Sequence, residues 1–260
     1  MVAKIDRTGE TGTNNFGSKM VITKYRNARN IDVYFSEYNW TTKGSRYGNF
    51  KRGKVLCPYE RRHYGVGYIG EGKYKMSKNG KAVKCYEVWI KILQRCYDDI
   101  CHKDRPTYNQ CEIYEKWLNY QNFAEWYYNN YYKIEGEKMA LDKDILVKGN
   151  KIYSPDTCIF VPERINTLFI KCDNKRGNYP VGVSYRKRDK KFISQCNVYD
   201  FEKRKSQQKH LGYHETAEEA FKVYKQFKEN YIKEVADYYK DKIPQKLYDA
   251  MYRYEVDIDD

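Results

Sequence analysis

The chain has 260 residues, 41% of them hydrophobic, and carries a formal net charge of +14 at pH 7. Its mean hydropathy of −0.96 argues against one large core and for two or three small ones, whose interiors lean on the rings of 29 tyrosines. No run approaches the roughly 18 apolar residues of a membrane span, and the start MVAKIDRTGE has no apolar export segment, so neither membrane insertion nor secretion is expected and the expected compartment is the cytoplasm.

The charge is unevenly spread. Residues 1–84 carry 18 Lys and Arg against 6 Asp and Glu, and residues 171–213 carry 12 against 4. The centre, 85–170, holds 11 against 13, and the segment from 214 onward 8 against 12. Two basic stretches around a near-neutral centre favour a polyanionic partner over a basic surface that serves solubility alone. Eight irregularly spaced cysteines without an export signal are expected as reduced thiols, most of them core residues.

Residues 1–83 read as a small basic β domain. Strands are expected at 20–25 and 31–36, where Ile31, Val33 and Phe35 alternate with Asp32 and Tyr34. Short apolar pieces broken by Gly and Pro follow, so a small antiparallel barrel or curled sheet is expected, with a cationic rim of Lys24, Arg26, Arg29, Arg46, Lys51 and their neighbours to 62. The glycine-dense 64–75 lacks the Gly-Lys-Ser/Thr ending of a nucleotide-binding loop. Gly65, Gly67, Gly70 and Gly72 are therefore taken as turns or close-approach positions, with a phosphate-facing loop as the minor alternative.

Residues 84–170 form a second, more helical module. Val88, Trp89, Ile92, Leu93, Cys96, Tyr97 and Ile100 repeat at helical spacing and predict a helix over 85–101. A second helix is expected at about 120–132 around Phe123, Trp126, Tyr127 and Tyr131. Cys96, Cys101, His102 and Cys111 are candidate ligands for a structural Zn2+, but their spacing suits no compact knuckle, so core and loop roles are favoured.

Further on, Asp142 and Asp144 flank Lys143 at a strand end, Gly149-Asn150 makes a turn, an apolar run follows Pro155-Asp156, and Pro162 opens a helix. Read from residues alone, the acids cap a turn and Asn150 holds a tight loop, or the acids share a Mg2+ or Mn2+ ion with Asp156. The run from Asp142 resembles the second half of an HNH nuclease motif of the phage and intron homing type. The resemblance puts Asp142 at the metal-binding acid, Gly149-Asn150 at the turn, and Lys143 and Thr157 where the general-base His and second metal-binding Asn would stand. Asp142, Lys143 and Asp144 are thus the candidate catalytic positions, Asp142 and Asp144 the candidate metal ligands, and Asn150 and Thr157 motif positions. A lysine, with a reference pKa of about 10.4, is protonated at neutral pH and accepts no proton from water. It pairs with neighbouring carboxylates instead, so impaired cleavage is expected.

Residues 171–260 predict strands at 181–186 and 191–198, a third short strand ending at Gly212-Tyr213, and a long helix capped by Thr216, with Glu219 completing a capping box. This order is similar to the AP2 DNA-binding domain on the strength of Gly182-Val183-Ser184-Tyr185, Leu211-Gly212-Tyr213 and Glu218-Glu219-Ala220-Phe221 followed by Tyr224. Tyr213 replaces the usual Phe, and the loop from Tyr199 to Lys209 is longer and more basic. The resemblance implies that the sheet enters the major groove. Arg186, Arg188, Gln195 and Asn197 are the expected base readers, and Lys190, Lys191, Lys203, Arg204 and Lys205 the expected phosphate contacts. The acidic end EVDIDD either is disordered or packs on a basic face.

The expected fold class is α+β: a small N-terminal β domain, a central HNH-like ββα helical module, and an AP2-like three-stranded sheet plus helix. The expected function is duplex DNA binding by a homing-endonuclease derivative with impaired cleavage, in the cytoplasm of a phage-infected or prophage-carrying bacterium. A metal-dependent nicking enzyme and a phage protein engaging a host protein are the alternatives.

Overall fold

The computed structural model describes residues 5–169 and 179–258, so the expected boundary at 170–171 and the last two acids, Asp259 and Asp260, lie outside the described residues. The architecture is mixed α+β, with several small sheets and helices. The chain divides into two compact units: Met1–Tyr131 with Lys151–Asp156, and Tyr132–Asn150 with Thr157–Asp260. The division falls within the segment 84–170.

Unit one opens with an antiparallel meander of β1 (Thr11–Thr13), β2 (Lys19–Asn27), β3 (Asn30–Phe35) and β4 (Trp40–Ser45), neighbours in that order. The strands form where the sequence alternates. Met20, Ile22, Ile31, Val33 and Phe35 are fully buried and share a core with Phe50 of α1 (Tyr47–Lys51), Val55 and Cys57. Each such side chain contributes about 1.5–3 kcal/mol of apolar burial. Asp32 breaks the alternation, being buried as well. It accepts two hydrogen bonds from the Arg26 guanidinium, at 2.9 and 2.8 Å, and one from the Gly44 N–H at 3.1 Å. Arg26 is therefore tied into the sheet and is not a free member of the expected cationic rim.

After the hairpin of β5 (Ser77–Lys78) and β6 (Lys81–Ala82) come α2 (Lys84–Tyr97) and α3 (Asp99–Asp104). The single helix expected over 85–101 is broken at Asp98, whose carboxylate accepts the N–H of Ile100 at 2.8 Å and of Cys101 at 3.0 Å and so starts a new helix. β7 (Glu112–Ile113) leads to α4 (Tyr120–Asn130), which buries Tyr120, Phe123, Ala124 and Tyr127. The Trp89 indole, fully buried, donates to the Trp117 carbonyl at 2.7 Å. Gly67 lies so close to Leu93 and Trp89 that an added Cβ would collide with them, and Gly70, with φ of +70°, lies as close to Asn119. Both are close-approach positions.

The chain enters unit two as β8 (Met139–Asp142), contributes β9 (Ile152–Tyr153) to unit one in parallel pairing with β7, and resumes unit two as β10 (Ile159–Pro162) and α5 (Glu163–Leu168). β10 pairs antiparallel with β8, placing Ile159 opposite Asp142. A separate sheet has the order β11 (Val183–Arg186), β12 (Lys191–Asp200), β13 (Lys205–His214), all antiparallel, followed by α6 (Ala217–Tyr239) and α7 (Gln245–Tyr252). The Thr216 hydroxyl accepts the Glu219 N–H at 3.2 Å, while the Glu219 carboxylate accepts the Glu215 N–H at 3.2 Å, one residue earlier than a capping box requires. Ile145, Ile159, Val161 and Ile165 form one core with Ile232, Val235, Ala236 and Leu247, so the β8–β10–α5 segment is packed on the C-terminal helices.

The third strand is longer than expected. What the sequence presents as a polar loop from Tyr199 to Lys209 is a β ribbon, with Asp200 opposite Lys205 and Asn197 opposite Gln208. Val256 and Asp257 of the acidic end pack on their own unit. Val256 is buried beside Cys196 and Tyr224, its N–H donates to Glu229 at 2.9 Å, and Lys148 donates to Asp257 at 2.5 Å.

Candidate functional site

The loop after β8 is a closed hydrogen-bonded knot. Asp142 Oδ1 accepts the N–H groups of Asp144 at 2.8 Å and Ile145 at 2.7 Å, which turns the chain. The Lys143 side chain is buried, and its ammonium donates to Asp144 Oδ2 at 3.0 Å and to the Asn150 carbonyl at 2.7 Å. Asn150 Nδ2 donates back to the Lys143 carbonyl at 2.7 Å. Burial, reinforced by the neighbouring Asp144 charge, pushes the Asp142 carboxyl up from 3.8 to about 6. Thr157 stands two residues before Ile159, the cross-strand neighbour of Asp142.

This donor set matches a divalent cation poorly. One oxygen of Asp142 already accepts two N–H groups, and Asp144 holds an ammonium where a metal would bind. Among the described residues, no three of His, Cys, Asp and Glu are gathered as a metal-binding group. The same holds for Cys96, Cys101, His102 and Cys111. Cys96 and Cys111 are buried, none of the three cysteines is in a disulfide, and His102 Nε2 donates to the Arg95 carbonyl at 2.9 Å. No helix among the described residues is long and apolar enough to cross a membrane.

The sheet gathers the other candidates at its two ends. Arg186 and Lys191 are cross-strand partners beside the turn that carries Arg188 and Lys190, the latter at φ of +54°. Arg186 donates to the Tyr213 hydroxyl at 2.5 Å and pairs with Asp189 at 3.3 Å, Arg188 pairs with Asp189 at 2.9 Å, and Lys191 pairs with Glu215. At the far end Lys203 pairs with Asp200 at 3.3 Å, and Arg204 and Lys205 follow. These exposed pairs are each worth about 0–1 kcal/mol and yield readily to a phosphate. Between the ends, Gln195 is opposite His210 and Asn197 opposite Gln208. Every residue from Lys205 to His210 is exposed.

α6 and the ribbon also border a cleft of about 1000 Å³ within unit two, reached by Lys138, Arg164, Arg204 and Lys228. Sequence reasoning missed Lys138, Arg164 and Lys228. The signal for Lys228 was present: it interrupts the apolar stripe of Tyr224, Tyr231 and Val235 at helical spacing.

Comparison with models of protein families, with curated proteins and with solved structures found no match to this chain.

Proposed function

We propose that the chain is a double-stranded DNA-binding protein derived from an HNH homing-type endonuclease, with an AP2-like sheet as its reading surface and a core that cleaves poorly or not at all. The observation that carries the reading is the exposed ribbon. Beyond Ser194, β12 and β13 run on as two strands whose outer one is exposed over six residues. At about 3.3 Å per residue that is roughly 20 Å, and a major groove about 12 Å wide admits a two-stranded ribbon. The side chains on its outer face, Asn197, Gln208 and His210, can hydrogen-bond base edges, and cations stand at both ends for the phosphates. Within the described part of the acidic end, Asp257 accepts from Lys148, and Val256 accepts from Lys225 and donates to Glu229.

Impaired cleavage is supported by the state of Lys143. Its ammonium spends its hydrogens on a carboxylate and a carbonyl and, as an ammonium, carries no lone pair to activate water. Supercoiled plasmid incubated with the protein and Mg2+ or Mn2+ tests this part. Plasmid that stays supercoiled, while a gel-shift reports binding, is the expected outcome. Metal-dependent nicking that disappears in Asp142→Ala would establish a working nuclease instead, and copurification of a host protein with no DNA affinity would replace the reading altogether.

A further inference from the structure

The cleft of unit two has a chemistry of its own. We infer that it is a phosphate-binding site, built to take the phosphoryl group of a free mononucleotide or of a nucleic-acid strand end, with Lys228 as its inner cation.

Lys228 leaves α6 on the stripe that carries Tyr224, Tyr231 and Val235, all buried, so its stem runs along the core and its ammonium meets the cleft. Among the described residues that ammonium has no hydrogen-bond or ion-pair partner. The Cys196 thiol lies near it, and burial draws its pKa downward. A half-buried cation with no counter-charge among the described residues is disfavoured, and an anionic ligand relieves that cost.

The other charges facing the cleft set the kind of anion. Lys138, Arg164 and Arg204 join Lys228, against Glu137 and Glu163. Glu137 is already held by Arg164 at 3.0 Å and by the Tyr239 hydroxyl at 2.8 Å. Four cations against two carboxylates leave a surplus of two positive charges. A phosphate monoester carries about −1.5 to −2 at neutral pH, which answers that surplus where a carboxylate answers half of it. The Gln207 amide, on the helix-side face of the ribbon, supplies a neutral hydrogen-bond donor, and the volume lies at the upper end of small-molecule sites, about 300–1000 Å³. None of this requires the ribbon to bind DNA.

Titration calorimetry of the full chain with thymidine 5′-monophosphate, with thymidine as the phosphate-free control, tests the inference. Saturable binding of the monophosphate and none of thymidine is expected, weakened about tenfold or more by Lys228→Gln. Arg204→Gln, at an exposed turn position where folding is not at risk, is expected to weaken binding as well. Lys228→Gln is also expected to raise the melting temperature of the ligand-free protein, since it removes an uncompensated charge. A 5′-phosphorylated single strand that displaces the monophosphate would name strand ends as the source of the phosphoryl group. Failure to displace it would name free nucleotides, and the site stands in either case. No saturable binding, or binding that neither variant weakens, overturns it.

Discussion

Lys143 and Asn150 close one loop upon each other: the lysine ammonium donates to the asparagine carbonyl at 2.7 Å, and the asparagine amide donates to the lysine carbonyl at 2.7 Å. Removing either side chain takes a donor from the other residue's carbonyl. Asn150→Ala is expected to cost about 1–2 kcal/mol and Lys143→Ala about 1–3 kcal/mol of stability, the second kept from a higher value because Asp144 is exposed enough to be resolvated. The double variant should cost less than the sum, since the two share one closure. Urea denaturation of the four proteins reads this directly, and strict additivity would show that the loop is not held in this way.

Asp142 gives the same loop a pH signature. Its carboxyl is raised in the folded state to about 6 from 3.8, so the folded chain binds the proton more tightly than the unfolded one. The resulting stability is complete below about 3.8 and is lost as pH rises through about 6. Asp142→Asn keeps the oxygen that accepts the two N–H groups and removes the charge. Its melting temperature should exceed that of the wild type at pH 8 and converge with it at pH 4. A difference that does not change with pH would count against the buried charge.

His63 acts in the opposite sense in unit one. Its ring lies 5.2 Å from that of Trp89 and 5.9 Å from that of Tyr86, and its Nε2 is buried with no hydrogen-bond partner. Burial, with the Arg62 charge beside it, lowers its pKa from 6.5 to about 4. Stability from the neutral ring is complete above 6.5 and is lost as pH falls through about 4. The His63 ring proton should show no NMR titration between pH 8 and 5, and His63→Phe should remove this part of the acid sensitivity. A midpoint near the ordinary value would mean that the ring is open to water.

Arg26 belongs to the same unit as a structural partner. Its two hydrogen bonds hold the Asp32 carboxyl down to about 2 from 3.8. That contribution is present above 3.8 and is lost as pH falls through about 2. Arg26→Met should return the Asp32 titration toward 3.8 and lower the melting temperature at pH 7. Arg26→Lys should restore only part of both, because an ammonium cannot span the two oxygens at once. Duplex affinity should follow stability here and not the lost charge.

The sequence revealed most where burial is one-sided and regular. Ile31, Val33 and Phe35 announced β3, and Thr216 announced the start of α6. It revealed least where partners lie far apart in the chain or where nothing apolar marks a strand. Asp32 looked like a solvent-facing residue because Arg26, which neutralises it, reads as one more surface cation. β13 carries Lys205, Ser206, Gln207, Gln208, Lys209 and His210 in succession, a run with no alternation, and is held as a strand by its pairing with β12. The parallel pairing of Glu112–Ile113 with Ile152–Tyr153 spans about forty residues and left no local trace. At the candidate site, the pairing of Lys143 with Asp144 was legible from adjacency, whereas its bond to Asn150 needed the fold.

Duplex binding over a salt series measures the central proposal most directly. The logarithm of affinity should fall linearly with the logarithm of salt concentration. Lys190→Gln with Lys205→Gln should flatten the slope by about 1–2 while leaving sequence preference intact. Asn197→Ala with Gln208→Ala should instead relax sequence preference at nearly unchanged slope. Affinity that ignores salt, or a duplex that does not bind at low salt, would contradict the assignment of the ribbon to DNA.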